Sequence, residues 1–177
     1  MLDVGHGEVR NVIFDLDGTL ALCDHRRHHV EGDVKNWDAF FAECDRDTVN
    51  EPIARLFRFY RDSPVHRVWI LSGRSGTFET ERKTLDWLYV NGLQPDFLES
   101  VEIDSPMGPY TESRGMCFQM RKHGDRRPDV EVKLEMIRQH GLTPENTEIV
   151  FDDRNCMVNA WRNVWGFNCV QVADGDF

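Results

Sequence analysis

Ile13-Phe14-Asp15-Leu16-Asp17-Gly18-Thr19-Leu20 opens as an apolar strand and closes on two carboxylates, a glycine and a hydroxyl. Residues two apart on a strand share a face, so Asp15 and Asp17 point into one crevice while Gly18 lets the backbone turn away from the sheet. Two unneutralised carboxylates at the end of a buried strand repel each other unless a proton or a cation is shared between them. A divalent metal ion is the obvious remedy. Alone, Asp17-Gly18 is a strand-ending turn beside a solvated acid; the whole string after an apolar strand is far more specific.

Size and charge set the frame around that stretch. At 177 residues and 40% hydrophobic, the chain can bury one sizeable core but not two, so one domain over residues 1–177 is expected. Residues 1–10 hold no apolar run of signal-peptide length, and nothing approaches the roughly 20 apolar residues needed to span a bilayer. A soluble, cytoplasmic protein without a membrane partner is expected. Five cysteines, Cys23, Cys44, Cys117, Cys156 and Cys169, are odd in number and widely spaced, which argues against a disulfide framework and a zinc site. A net charge of -10 repels polyanions at long range, so gripping a duplex through a basic face is excluded. A phosphate would need local positive charge.

Val12 to Phe14, continuously apolar, reads as a strand buried on both faces. Cys23-Asp24-His25-Arg26-Arg27-His28-His29 follows; its histidines lack zinc-site spacing, and it reads as a mobile charged flap from His25 to Asp33. Trp37, Phe40, Phe41 and Cys44 mark a short amphipathic helix whose stripe serves packing. Glu51-Pro52 starts a helix with Ile53, Leu56, Phe57 and Tyr60 along one side. Val68 to Leu71 is a strand ending in Ser72-Gly73-Arg74. Thr77 to Val90 is a helix with Phe78, Leu85 and Leu88 inward. Asp104 to Arg114 reads as a loop and Met116 to Met120 as a strand. After the basic run Arg121 to Arg127, a helix from Asp129 turns Val130, Leu134 and Ile137 to the core. Glu148 to Phe151 is a strand ended by Asp152-Asp153-Arg154; a helix over 157–165, with Met157, Trp161 and Val164 inward, leads to a last strand over 169–172. Strands alternating with helices imply an α/β doubly wound parallel sheet with its site at the strands' C-terminal edge.

The order Asp15-x-Asp17, Ser72-Gly73-Arg74, Lys133, Asp152-Asp153 resembles the four motifs of the haloacid dehalogenase superfamily of phosphotransferases, a Rossmann-like fold. That resemblance implies Asp15 as the nucleophile that forms an aspartyl-phosphate. It implies Asp17 as general acid and then base, with a pKa raised from roughly 3.9 by desolvation and anionic neighbours. Magnesium would be held by Asp15, Asp152 and the Asp17 backbone carbonyl, with Asp153 acting through water; either acid of the pair could be the direct ligand. Ser72 and Lys133 would bind the phosphoryl oxygens.

A narrower resemblance is to the phosphatase domain of bacteriophage-type polynucleotide kinase/3′-phosphatases. Arg26, Ser72-Gly73-Arg74, Arg121, Gly124-Asp125, Asp129, Lys133, Asp152-Asp153-Arg154 and Gly175-Asp176-Phe177 carry it. It implies Arg26, Arg74, Arg121 and Arg154 as phosphate contacts, and Asp129 as a residue orienting an arginine or Lys133. The His-rich stretch, the Trp37 region and residues 104–114 depart from the pattern. Only a minimal cap, roughly residues 21–50, fits between Leu20 and Ser72, and a weakly covered site admits a polymer end.

The reading is therefore a magnesium-dependent phosphomonoesterase for 3′-phosphate ends of DNA or RNA. The alternative is a phosphatase of mononucleotides or other small phosphomonoesters, which the acidic charge suits better; a third is a non-catalytic binding module. No Gly-x-x-x-x-Gly-Lys-Ser/Thr loop occurs, so kinase activity is not expected of this chain; the reading leaves room for a separate kinase or ligase partner.

Overall fold

The computed structural model describes residues 8–103 and 110–175, with side chains outside 98–114. In chain order the elements are β1 (Arg10–Phe14), β2 (Ala21–Leu22), a 3-10 helix (Asp24–His29), α1 (Trp37–Ala42), a 3-10 turn (Cys44–Arg46), β3 (Thr48–Val49), α2 (Glu51–Arg61), β4 (His66–Gly76), α3 (Phe78–Val90), β5 (Phe97–Ile103), β6 (Tyr110–Met116), β7 (Phe118–Lys122), α4 (Asp129–Gln139), β8 (Thr147–Arg154), α5 (Asn155–Asn159), a π-helical turn (Ala160–Val164) and β9 (Cys169–Gly175).

Five strands form one sheet in the order β7-β4-β1-β8-β9, each paired in parallel with its neighbours. Alternation along β1 splits the core into two layers. Val12 and Phe14 pack with Ala54 and Phe57 of α2 and Trp87 and Leu88 of α3, whereas Ile13 packs with Val132, Met136 and Ile137 of α4 and with Met157 and Trp161. The chain winds outward from β1 through β4 to β7, then resumes on the other side with β8 and β9. The order reverses between β1 and β8, and a ligand crevice opens at such a switch point beyond the strands' C-terminal ends. No described helix is long and apolar enough to cross a membrane.

Several expectations shift. Tyr110 to Met116 is a strand, paired antiparallel with β5 in a two-stranded arm, so the loop expected over 104–114 is wrong for its second part; residues 104–109 lie outside the described residues, as do Asp176 and Phe177 of the tail motif. Phe78, at the first turn of α3, is 84% exposed, and Val164 is 68% exposed at the end of the π-helical turn. Leu56 is also exposed, and Ala54 takes the inner position on α2. On α4 Ile137 is buried and Val130 and Leu134 pack partly buried against the same core, as expected, while Val132, Lys133 and Met136 are buried beside them. The helix is turned so that Lys133 reaches inward to two carboxylates.

Candidate active site

The inner face of β1 that carries Ile13 carries Asp15 next, and the Asp15 amide donates to the Phe151 carbonyl at 2.9 Å, fastening β1 to β8 where the strands end. The same parity on β8 places Asp152 with Val150, on the α4 side. Lys133 Nζ lies between them, donating to Asp15 Oδ1 at 2.6 Å and to Asp152 Oδ2 at 2.8 Å. Asp152 also accepts from Trp161 Nε1 at 3.0 Å and from the Arg154 amide at 3.2 Å. All three of Asp15, Lys133 and Asp152 are buried.

Asp153 has no such support. Both its carboxylate oxygens are buried without a hydrogen-bond partner among the described residues. Burial and then Asp152 push its pKa up to about 7. Asp15 is likewise raised well above the carboxylate range, by burial first and by Asp152 and Asp153, against the opposing pull of Lys133. Burial disfavours the ammonium of Lys133, yet Asp15 and Asp152 hold its pKa above the ordinary lysine value. One ammonium therefore faces three buried acids, whose ligand oxygens lie within 4.8 Å of one another. The donor set is all oxygen, one member is unpartnered, and the charge is in deficit, so a magnesium ion fits this cup.

Asp17 occupies a different environment. Its carboxylate accepts from Arg74 Nε and Nη2, the latter at 2.6 Å, and from Arg26 Nη2. Burial alone would raise its pKa, but Arg74 and then Arg26 outweigh burial and hold it at about 2. This corrects the expectation of a raised value: the two guanidinium groups bound to its carboxylate outweigh burial. A side chain that sequence reasoning missed completes the arrangement. Buried Asp47 accepts from Arg26 Nε at 2.7 Å, from Arg26 Nη2 at 2.6 Å and from Arg74 Nη2 at 2.6 Å. Trp87 Nε1 donates to the Asp47 carbonyl at 2.8 Å. Two arginines and two aspartates thus close a charge-balanced square. Asp47 sits between a 3-10 turn and β3, and Arg46-Asp47-Thr48 carries no motif that marks it.

Arg26 and Arg74, expected on the phosphate, are wholly buried and committed to this square; Arg74 Nη1 also donates to Thr84 Oγ1 at 3.0 Å and Arg26 Nη1 to the Phe40 carbonyl at 3.1 Å. The expected flap is a 3-10 helix anchored through Arg26.

The remaining predicted residues form a third group. Asp129, at the start of α4, accepts from Arg121 Nη2 with one oxygen and from Arg154 Nη1 with the other. It orients two arginines, and Lys133 is held elsewhere. Arg121 Nε donates to the Gly73 carbonyl at 3.0 Å, and a Cβ on Gly73 would approach Asp129 Oδ1 to 3.0 Å. The bare backbone at Gly73 lets the β4 end lie against this pair. Ser72 is buried, its Oγ accepting from the Arg74 amide at 3.1 Å. Arg121 and Arg154 keep 12% and 24% of their side chains exposed, whereas Arg26 and Arg74 keep none. Arg127 is spent on Asp125 and Glu135 at the surface.

Residues 9–177 match the family described as polynucleotide kinase PNKP phosphatase domain. Solved chains similar to this one include two from related complexes. One, from a Pnkp1/Rnl/Hen1 complex, superposes with a TM-score of 0.71 at 26% identity, over 97% of this chain and 48% of its own. The other, from the Pnkp1/Rnl/Hen1 RNA repair complex, gives 0.69 at 26% identity, over 96% of this chain and 44% of its own. The chain spans about half the length of the solved chains it matches.

Proposed function

Because the chain belongs to the haloacid dehalogenase-type family of polynucleotide kinase PNKP phosphatase domains, we propose that it is a magnesium-dependent phosphomonoesterase that removes 3′-phosphates from DNA or RNA ends. The observation that carries this is the meeting of Asp15, Asp152 and Asp153 around one ammonium at the reversal of strand order. Asp15 is the nucleophile. Its carboxylate oxygen attacks phosphorus, the bond to the leaving oxygen breaks, and an aspartyl-phosphate forms that water then hydrolyses. Lys133 holds Asp15 in place and, with Arg121 and Arg154, offsets the charge of the phosphoryl oxygens.

Asp17 protonates the leaving oxygen and later takes a proton from water. Its low pKa in the free protein suits the second task; a phosphate dianion arriving beside it raises that pKa towards the first. Asp15, Asp152, Asp153 and the Asp17 carbonyl would hold magnesium, which when bound supplies positive charge to the phosphoryl oxygens and the attacking carboxylate.

Free thiols at all five cysteines suit a reducing, cytoplasmic setting. The similar chains come from complexes, one of them an RNA repair complex, and on this reading a separate kinase or ligase partner uses the ends produced here. A second reading, hydrolysis of mononucleotide 3′-phosphates, is favoured by the net charge of -10. The test is phosphate release in magnesium from a 3′-phosphorylated oligonucleotide and from a free 3′-nucleotide. Higher kcat/KM on the oligonucleotide and loss of turnover in Asp15→Asn are expected. Full activity in that variant would remove Asp15 from the mechanism.

A further inference from the structure

We propose that the cleft between α1 and α3 receives the nucleoside bearing the scissile phosphate, with its base against the ring of Phe41. This assignment rests on the 3′-phosphatase reading and adds to it the place of the leaving group. The cleft has a volume of about 170 Å³ and is walled by Phe41, Ser75 and Thr80 among others. One water claims roughly 30 Å³ of liquid, so a flat ring fits where a lone solvent molecule would leave space unfilled.

Its walls adjoin residues that support the clamp on Asp17. The Phe40 carbonyl, one residue before Phe41, accepts from Arg26. Ser75 follows Arg74 directly. The Thr80 carbonyl accepts from Thr84 Oγ1 at 2.7 Å, and that hydroxyl accepts from Arg74. Both arginines hold Asp17. A group that protonates the leaving oxygen must touch it, and that oxygen is bonded to the nucleoside. The nucleoside therefore leaves the crevice on the Asp17 side, and the cleft is the hollow whose Ser75 directly follows Arg74, a residue that holds Asp17.

Charge and surface select the kind of occupant. Asp38 and Glu79 line the cleft, and its lysine, Lys83, is already held by Glu79 at 3.4 Å and by the Ala42 carbonyl at 2.6 Å. Such walls repel a phosphate and accept a neutral base. Phe41 is only partly buried and lies nearly parallel to the half-exposed Trp37, with centroids 5.9 Å apart and planes at 24°. An aromatic face of this sort binds bases by stacking, with little preference among them.

The experiment compares a 3′-phosphorylated oligonucleotide with the same strand whose terminal nucleotide is a tetrahydrofuran abasic analogue. In the unaltered protein kcat/KM should be about tenfold higher with the base present, carried by KM. Phe41→Ala and Phe41→Leu should both bring that ratio close to one, and Phe41→Trp should restore it; thermal melts establish that each variant is folded. A ratio near one in the unaltered protein, or a ratio that survives Phe41→Leu, overturns the assignment while leaving the phosphatase reading intact. Hydrolysis of acetyl phosphate with none of either 3′-phosphate overturns the polynucleotide reading and this assignment with it.

Discussion

Gly18 lies so close to Asp153 that a Cβ on the glycine would stand 2.1 Å from Asp153 Oδ2. Gly18 also has φ +85, a conformation that costs an L residue roughly 1–2 kcal/mol. Gly92 separates the two effects, since its φ is +63 with nothing within 4 Å of a built Cβ. Gly92→Ala is expected to lower stability by only that backbone cost and to retain phosphatase activity. Gly18→Ala should displace Asp153 as well, melting lower than Gly92→Ala and losing about a hundredfold or more in kcat, a barrier change of about 3 kcal/mol. Equal melting temperatures and equal kcat in the two variants would mean that the close approach does not matter.

Asp153 gives a second prediction because nothing among the described residues satisfies its buried oxygens. A buried charge without a partner is destabilising, so Asp153→Asn should raise the melting temperature of the metal-free protein, by about 2–4 °C for each kcal/mol gained. Magnesium should behave oppositely in the two proteins. A saturating ion stabilises the unaltered chain by about 2.7 kcal/mol at a hundred times its Kd, and most of that gain should vanish in Asp153→Asn. Thermal melts with chelator and with magnesium read both effects; a lower metal-free melting temperature in the variant would contradict the first.

The parts of this site that strand parity dictates were legible in the sequence, and the parts set by tertiary contact were not. Asp15 and Asp152 follow from apolar strands that end in acids, and their meeting follows from parallel pairing. Asp47 belongs to no periodic segment, so nothing local distinguishes it from a surface acid. The ionisation of Asp17 depends on Arg26 and Arg74, which arrive from either side of α1 and α2, and sequence order does not say that they converge. On α4 the core-facing Val130, Leu134 and Ile137 were legible, but the burial of Lys133 was not, because lysine is ordinarily solvated and only the two buried carboxylates reverse that preference. The β5–β6 arm escaped notice because within residues 97–116 only Val101-Glu102-Ile103 alternates, too short a run to mark a strand among so many Glu, Ser, Gly and Pro.

Asp47 is expected to matter for stability as well as for activity. Arg26 and Arg74 are both wholly buried and share its carboxylate, so removing its charge leaves two guanidinium groups with Asp17 alone. Breaking a buried pair in this way costs about 3–5 kcal/mol. Asp47→Asn should lose about that much in denaturant unfolding, and its kcat should fall because Asp17 is no longer held in one orientation. A variant as stable as the parent would show that the square contributes no net stability.

Trp161 ties the acidic cup to an irregularity of the backbone. The helix that begins at Asn155 widens into a π-helical turn over Ala160–Val164, a feature that in helices often marks a functional position. Here it brings the buried Trp161 indole to donate to Asp152 Oδ2 at 3.0 Å, with Trp165 and Phe167 packed edge-on against the same ring. Donors of this kind fix the orientation of a ligating carboxylate, and losing one commonly weakens metal binding by about 10–100-fold. Trp161→Phe keeps the ring packing and removes only the N–H. It should melt, without metal, within a few degrees of the parent while binding magnesium about tenfold or more weakly by calorimetry, and raising the magnesium concentration should recover its kcat. Trp165→Phe, which leaves the Asp152 contact in place, should bind the ion like the parent. If both variants bind magnesium equally well, the indole serves packing and nothing more.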